Sequence, residues 1–348
     1  TVHVAFEKAA AYFNVRLVHA PRGKGGRLNL KATKRRINRN TILLIGSAPN
    51  YPDGMIDPIA ELGAMAQKAG LPLHVDGCLG GFMLPFVDRL GYPIRPFDFR
   101  VPGVCSMSAD LHKYGYAAKG ASVILYRSMD IMKHQIFVTE NWPGGIFASP
   151  ALLGTRPGGA IAAAWAALMA IGEDGYLERA TISMDTTKRL MAGVNAIEGL
   201  AVIGEPDMSV FAYRATDPAV NIFAVGDQMD QRGWHVDRQQ RPDALHAMVT
   251  PRHEGVAESY LEDLAASVAV VRARPELATS GGAATYGMIS ATPLRGLIKQ
   301  QVLKMMMDLY GPNETAIDLG TPGDDLATQA GLAYLKVKDA LAKRGWLR

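Results

Sequence analysis

Asp76 and Lys113 are the residues whose types and spacing first point to chemistry. Asp76 ends the strand-like stretch Pro72–Asp76 (PLHVD), and Lys113 follows the strand-like stretch Val104–Ser108 (VCSMS) by a few residues. An open parallel sheet binds ligands beyond the carboxyl ends of its strands. A lysine amine in that position can hold an aldehyde-bearing cofactor covalently. A carboxylate beside it can keep a pyridine nitrogen protonated and the ring electron-poor, because an ion pair favours the charged form of both partners. Both groups must touch one small ring, so they must come from neighbouring strands, and two residues 37 positions apart on successive strands meet that condition. This is the residue pattern of a pyridoxal 5'-phosphate site. Each residue alone also has an ordinary explanation, a strand-end cap for Asp76 and a surface charge for Lys113.

Other chemistries fit less well. His74, Asp76, Cys78 and His112 are metal-ligating types. Alternate strand positions put the first three on one face without closing a tetrahedral cage, so no metal is expected. No GxSxG elbow, Walker loop or GxGxxG turn is present.

The elements that must position these residues alternate. Residues 3–13 have a helical pattern, and Val15–His19 alternates like a strand. A helix is expected over 30–38 with Asn29 as its cap. The continuous apolar run Thr41–Ser47 reads as a strand buried on both faces. Asp57 and Pro58 open a helix that Gly70 ends. The strands PLHVD, VCSMS and Ser122–Tyr126 follow. This order predicts an α/β fold with a mostly parallel sheet and helices on both faces. Helices are then expected at 159–171 and 175–198, strands at 201–203 and 210–214, and a C-terminal helix near Leu326–Arg344. A boundary near residue 170 divides a large α/β domain, 1–170, from a smaller α+β domain, 171–348.

Composition narrows the setting. The 348 residues are 48% hydrophobic and 20% charged, which suits a globular chain of two domains. Two cysteines in no disulfide-like spacing suggest a reducing compartment, and a cytoplasmic location is expected. The apolar run Gly158–Gly172 is too short to span a bilayer and reads as a buried helix. A net charge of +4 is mild. The basic stretch Lys31–Arg39 carries no interleaved aromatics and reads as a solvated helix face, so nucleic acid is not an expected partner. Thr1 opens directly into the helical pattern, so further sequence is expected upstream.

Several motifs together resemble the sphingosine-1-phosphate lyases. They are HVDGCLGGF (His74–Phe82), PFDFR (Pro96–Arg100), SADLHKYGYAAKG (Ser108–Gly120), GIFASP (Gly145–Pro150) and GTRPGG (Gly154–Gly159). Aspartate and His-Lys alone would indicate only the wider fold-type-I group of pyridoxal-phosphate enzymes. DLHKYGYAAKG followed by TRPGG is more specific. The resemblance runs from Thr1 to about Gly287 and is densest over 41–172.

The resemblance implies a role for each residue. Lys113 would bind the cofactor covalently and Asp76 would pair with its ring nitrogen. His3 would stack on the ring, His112 would lie near the cofactor phosphate, and Cys78 would pack beneath the ring. Ser47 joins the cofactor-binding candidates. Thr155 would reach the cofactor phosphate of a partner subunit, which places a shared active site in a homodimer. Lys119 and Tyr51, with Tyr286 behind them, would clamp the substrate phosphate as a point charge and hydroxyl donors. In the family a Gly/Ser/Thr-rich helix start also cradles the cofactor phosphate, and here it is expected upstream of Thr1. Any membrane contact would come through that upstream sequence.

The implied reaction is a retro-aldol cleavage of a phosphorylated long-chain base into a long-chain aldehyde and phosphoethanolamine. Lys113, His112 and the substrate phosphate are the candidates for the base at the substrate hydroxyl. Two alternatives are an amino-acid decarboxylase, which needs a clamp for a carboxylate, and a catalytically silent chain that only dimerises.

Overall fold

A computed structural model describes residues 1–311 apart from Lys24 and 292–294. The C-terminal helix expected near Leu326–Arg344 lies outside the described residues. The chain forms two compact units. The first comprises Thr1–Thr187, Ile203–Phe211 and Met248–Glu254, and the second comprises the remaining described residues.

The first unit runs α1 (Ala5–Tyr12), α2 (Leu30–Lys34), β1 (Leu44–Ser47), α3 (Ile59–Ala69), β2 (Leu73–Asp76), α4 (Leu84–Arg89), β3 (Val104–Ala109) and β4 (Val123–Tyr126). The short elements α5 (Met129–Met132), β5 (Phe137–Thr139) and β6 (Phe147–Ser149) follow, and then the long α6 (Gly158–Ala196), which belongs to this unit as far as Thr187. The main sheet has the order β1-β2-β3-β4. β1, β2 and β3 are mutually parallel, and β4 returns antiparallel to β3. The expected α/β class and mostly parallel sheet are what the chain forms.

α3 shows why the sheet is covered. Ile59, Leu62 and Ala66 recur at helical spacing on one face, and all three are buried. They pack with Leu73 and Val75 of β2, Leu84 and Val87 of α4, and Phe97 in one core. Each such aliphatic side chain contributes about 1.5–3 kcal/mol when removed from water. α2 begins where Asn29 Oδ1 accepts from the Ala32 N–H at 2.9 Å, as expected, but it ends at Lys34 rather than near residue 38.

Val15–His19 forms no strand. Val15 and Val18 are both exposed, so no buried face exists to hold a register. The two helices expected on either side of residue 172 are joined in α6 by a kink at Gly172, whose φ of 62° and ψ of 176° are non-helical. The units divide later than residue 170, at Thr187, because Ala180 and Met184 of the second segment belong to the core of the first unit.

The second unit carries β7 (Leu200–Val202), β8 (Val210–Ala215) from Ala212 on, α7 (Ile222–Gln231), β9 (Asp237–Gln239), β10 (Ala244–Met248) as far as Ala247, α8 (Ala257–Ala273), α9 (Gly281–Ala291) and α10 (Arg295–Tyr310). Its sheet has the order β7-β8-β10-β9, with β7–β8 and β9–β10 antiparallel. Asn221 caps α7 by accepting from the Phe223 and Ala224 N–H groups at 3.0 Å. Strands and helices in this mixture make it α+β.

Candidate active site at the strand ends

Parallel pairing sets the floor of the site. Ser47 lies opposite Asp76, and Asp76 lies opposite Ser108, so three strand ends stand abreast. β2 is buried along its whole length, which carries Asp76 into the interior. Asp76 Oδ1 accepts from the Cys78 N–H at 3.1 Å and from Ser108 Oγ at 3.2 Å. A buried carboxylate needs such donors to remain ionised.

Lys113 is presented by the turn that follows β3. Its N–H donates to the Asp110 carbonyl at 3.2 Å, and its own carbonyl accepts from the Tyr116 N–H at 3.0 Å. Lys113 Nζ lies 3.0 Å from Asp110 Oδ2. Burial works against the Lys113 ammonium, but Cys78 and Asp110 beside it outweigh that effect and hold it above the ordinary lysine value. Cys78 borders both Lys113 and Asp76. Burial first, and then the Asp76 charge and hydrogen bond, push its thiol up to about 12 against a smaller pull from Lys113. It is a neutral packing group and not a nucleophile. Cys78 thus joins Asp76 to Lys113, as the spacing required.

The lysine turn is clamped from behind. Tyr114 is buried, and its hydroxyl lies 3.0 Å from the Val249 carbonyl oxygen and 3.0 Å from Ser209 Oγ. The Tyr176 hydroxyl of α6 donates to the Gly115 carbonyl at 2.7 Å. Tyr116 takes a left-handed φ of 56° and stacks on Tyr176 at 6.3 Å. A side chain at such a φ is strained and persists where its surroundings fix it.

His112 sits in the same turn. Its Nδ1 is 2.7 Å from the Ala121 carbonyl oxygen, which can only accept, so Nδ1 carries the hydrogen. Nε2 lies 3.7 Å from Asp110 Oδ2. His3 precedes α1, accepts from the Ala5 N–H through Nδ1 at 3.2 Å, and meets the Tyr51 ring edge-on at 6.4 Å. Phe6 of α1 tilts onto His74 at 5.9 Å, which sets α1 against β2. His74 is tied to Ser106 Oγ at 2.9 Å, and burial pushes it below the ordinary histidine value. No cluster of three or more metal-ligating side chains occurs among the described residues.

The remaining candidates are not brought to Lys113 by any contact within the first unit. Lys119 and Thr155 are exposed, and no hydrogen bond or ion pair holds either among the described residues. Tyr286 belongs to the second unit, where its ring tilts on Phe223 and lies under the Arg238 guanidinium. Three residues that reading the sequence passed over are in the site. Asp110 stands three positions before Lys113, a spacing that returns to the same side of a turn, and that was the available signal. Ser108 could have been found from its place at the end of β3. Nothing local marks Tyr176, because its partner Gly115 is 61 residues away.

The residues present fit a pyridine-ring cofactor with an aldehyde and a phosphate. Ser47 Oγ is buried and has no hydrogen-bond partner among the described residues. The buried Asp76 carboxylate is of the right sign for a pyridinium, and Lys113 supplies the amine.

Residues 1–216 match the pyridoxal-dependent decarboxylase conserved domain. The chain is 47% identical to the sphingosine-1-phosphate lyase of Arabidopsis thaliana over 88% of this chain and 56% of that protein. It is 44% identical to that of Dictyostelium discoideum, over 90% of this chain and 59% of the relative. The chain therefore spans somewhat over half the length of the curated relatives it matches. Among solved structures, a sphingosine-1-phosphate lyase of Burkholderia pseudomallei is 41% identical with a TM-score of 0.78, covering 88% of this chain and 66% of that one. A Lactobacillus brevis glutamate decarboxylase shares the fold at 21% identity and a TM-score of 0.69, over 78% of this chain and 64% of its own.

Proposed function

The chain belongs to the pyridoxal-dependent decarboxylase family, and on that premise we propose that it is the cofactor-holding part of a carbon–carbon lyase. Its substrate is a phosphorylated long-chain base, cleaved to a long-chain aldehyde and phosphoethanolamine. The observation that carries the reading is the joining of Asp76 and Lys113 around Cys78 at the ends of neighbouring parallel strands. Similarity to sphingosine-1-phosphate lyases over 88% of the chain supports the lyase over an amino-acid decarboxylase.

Pyridoxal 5'-phosphate supplies an electron sink when bound. The chain's own residues do the rest. Lys113 holds the cofactor through its amine, and when released it carries a proton at Nζ. Asp76 keeps the ring nitrogen protonated, while Cys78 excludes water as a neutral thiol. Ser47 offers its unpartnered hydroxyl. His112 holds its hydrogen on Nδ1 against the Ala121 carbonyl and turns Nε2 towards Asp110. His112, Lys113 and the substrate phosphate are the groups able to take the proton from the substrate hydroxyl. His3, edge-on to Tyr51, would stack on the cofactor ring, and Lys119 and Tyr51 would serve the substrate phosphate.

The homodimer belongs to the same proposal. Leu152, Leu153, Ile161, Trp165 and Met169 flank Thr155 and are all exposed apolar side chains. A patch of that kind marks a contact surface, and a second copy covering it would receive Thr155. The cytoplasmic placement rests on the free thiols Cys78 and Cys105. Among the described residues no helix is long and apolar enough to cross a membrane.

The test is turnover of a phosphorylated long-chain base against glutamate and an aromatic amino acid, with pyridoxal phosphate present. Release of aldehyde and phosphoethanolamine is expected. Carbon dioxide release from either amino acid, with no aldehyde, contradicts the reading.

A further inference from the structure

Asp110 faces two basic groups with one oxygen. Oδ2 is 3.0 Å from Lys113 Nζ and 3.7 Å from His112 Nε2. All three residues lie in one turn, and the Asp110 carbonyl accepts the Lys113 N–H at 3.2 Å, so carboxylate and amine are held together at both backbone and side chain. Only 13% of the Asp110 side chain is exposed, which leaves the pair poorly screened by water. We propose that Asp110 is a positioning residue that docks Lys113 as an ammonium whenever its amine is off the cofactor. The inference rests on the lyase reading only in calling Lys113 the cofactor's lysine.

The docking has a defined moment. Off the cofactor, the Lys113 amine would carry three hydrogens and a positive charge. A half-buried lysine with no counter-ion resists that charge. Asp110 receives it 3.0 Å away, within the turn that presents Lys113. The groups that bear on the Lys113 amine are Asp110 of its own turn and Cys78 after β2, and Cys78 in turn borders Asp76. Cys78 is an uncharged thiol below its value of about 12, so at working pH the negative charge in contact with the amine is that of Asp110.

The test is competitive acetylation of the whole chain from pH 7 to 11, with the Lys113 peptide quantified by mass spectrometry and exposed Lys68 as reference. In cofactor-free wild-type protein the Lys113 midpoint is expected above that of Lys68, because burial without a carboxylate partner would place it below. Asp110→Asn should lower the midpoint by about one unit or more, or about tenfold more acetylation at pH 9. Asp110→Glu should restore most of the shift. An unshifted midpoint in D110N, or a wild-type midpoint at or below that of Lys68, overturns the proposal. Should D110N not fold, Cys78→Ala decides with the wild type: a raised midpoint that survives supports Asp110, and one that vanishes assigns the effect to Cys78. Added pyridoxal phosphate should shield Lys113 from acetylation. Failure of that shielding with the D110N shift intact refutes the cofactor reading and leaves the docking pair in place.

Discussion

Tyr114→Phe isolates the hydrogen bonds that hold the lysine turn. The ring stays and only the hydroxyl goes, so no cavity large enough to collapse is made. Tyr114 is 2% exposed, and its hydroxyl meets the Val249 carbonyl oxygen and Ser209 Oγ, each at 3.0 Å. Ser209 and Val249 are themselves buried, so water cannot replace the missing partner. Each group left without a partner costs about 1 kcal/mol, which gives about 2 kcal/mol in all. For a unit of about 200 residues that corresponds to a fall in Tm of about 4–8 °C. Burial pushes the Tyr114 phenol well above its ordinary value, so it stays a neutral donor and the loss should be the same at pH 6 and pH 9. Tyr114→Ala removes the ring as well and should cost about 3–5 kcal/mol. The assay is thermal unfolding of the purified chain followed by near-ultraviolet circular dichroism. A Tm within 1 °C of wild type in Y114F would refute the argument, since the hydroxyl would then contribute nothing beyond its exchange with water.

Asp76→Asn keeps the shape of the strand end and removes the charge. A charge-assisted hydrogen bond of about 1.5–3 kcal/mol is lost, so fluorescence titration should show the Kd for pyridoxal phosphate rising about 10- to 150-fold. Cys78, at about 12, should carry about a thousandfold less thiolate at pH 8 than an ordinary thiol at 9.0, and iodoacetamide should leave it unmodified in the folded chain. Because its folded value lies above the unfolded one, the stability Cys78 contributes is complete below about pH 9 and is lost as the pH rises towards 12; denaturant midpoints that increase over that interval would contradict this. Gly54 has a φ of 69°, and a Cβ there would fall on the Val210 carbonyl oxygen, so denaturant titration of Gly54→Ala should show an unfolding free energy lower by about 4 kcal/mol, the range of a severe core change. Trp165→Glu on the exposed start of α6 should shift sedimentation from dimer to monomer if a second copy covers that face.

β1 was legible because its mostly buried residues appear as a continuous apolar run, and β2 because Leu73 and Val75 lead to Asp76 at a strand end. The helix α3 was legible from Ile59, Leu62 and Ala66 and from Gly70 at its end. Val15–His19 misled because alternation alone does not make a strand: pairing needs a neighbour, and these residues have none among the described residues. The extent of the first unit was hidden for a related reason: Ala180 and Met184 look like any amphipathic helix positions until the sheet they cover is known. In the site, the proximity of Asp76 and Lys113 was legible because they stand at or just after the ends of successive strands that pair. Asp110 was visible in the motif but carried no role until its carboxylate proved to lie 3.0 Å from Nζ. Tyr114 and Tyr176 act over 135 and 61 residues of chain, and no local pattern encodes such partners.

The central claim is that Lys113 holds pyridoxal phosphate through its amine. Adding the cofactor to the purified chain should produce the absorbance band near the visible edge that marks lysine-bound pyridoxal phosphate. In Lys113→Ala that band should be absent while the circular dichroism of the protein is unchanged. A band that persists in K113A at wild-type intensity would show that another residue holds the cofactor.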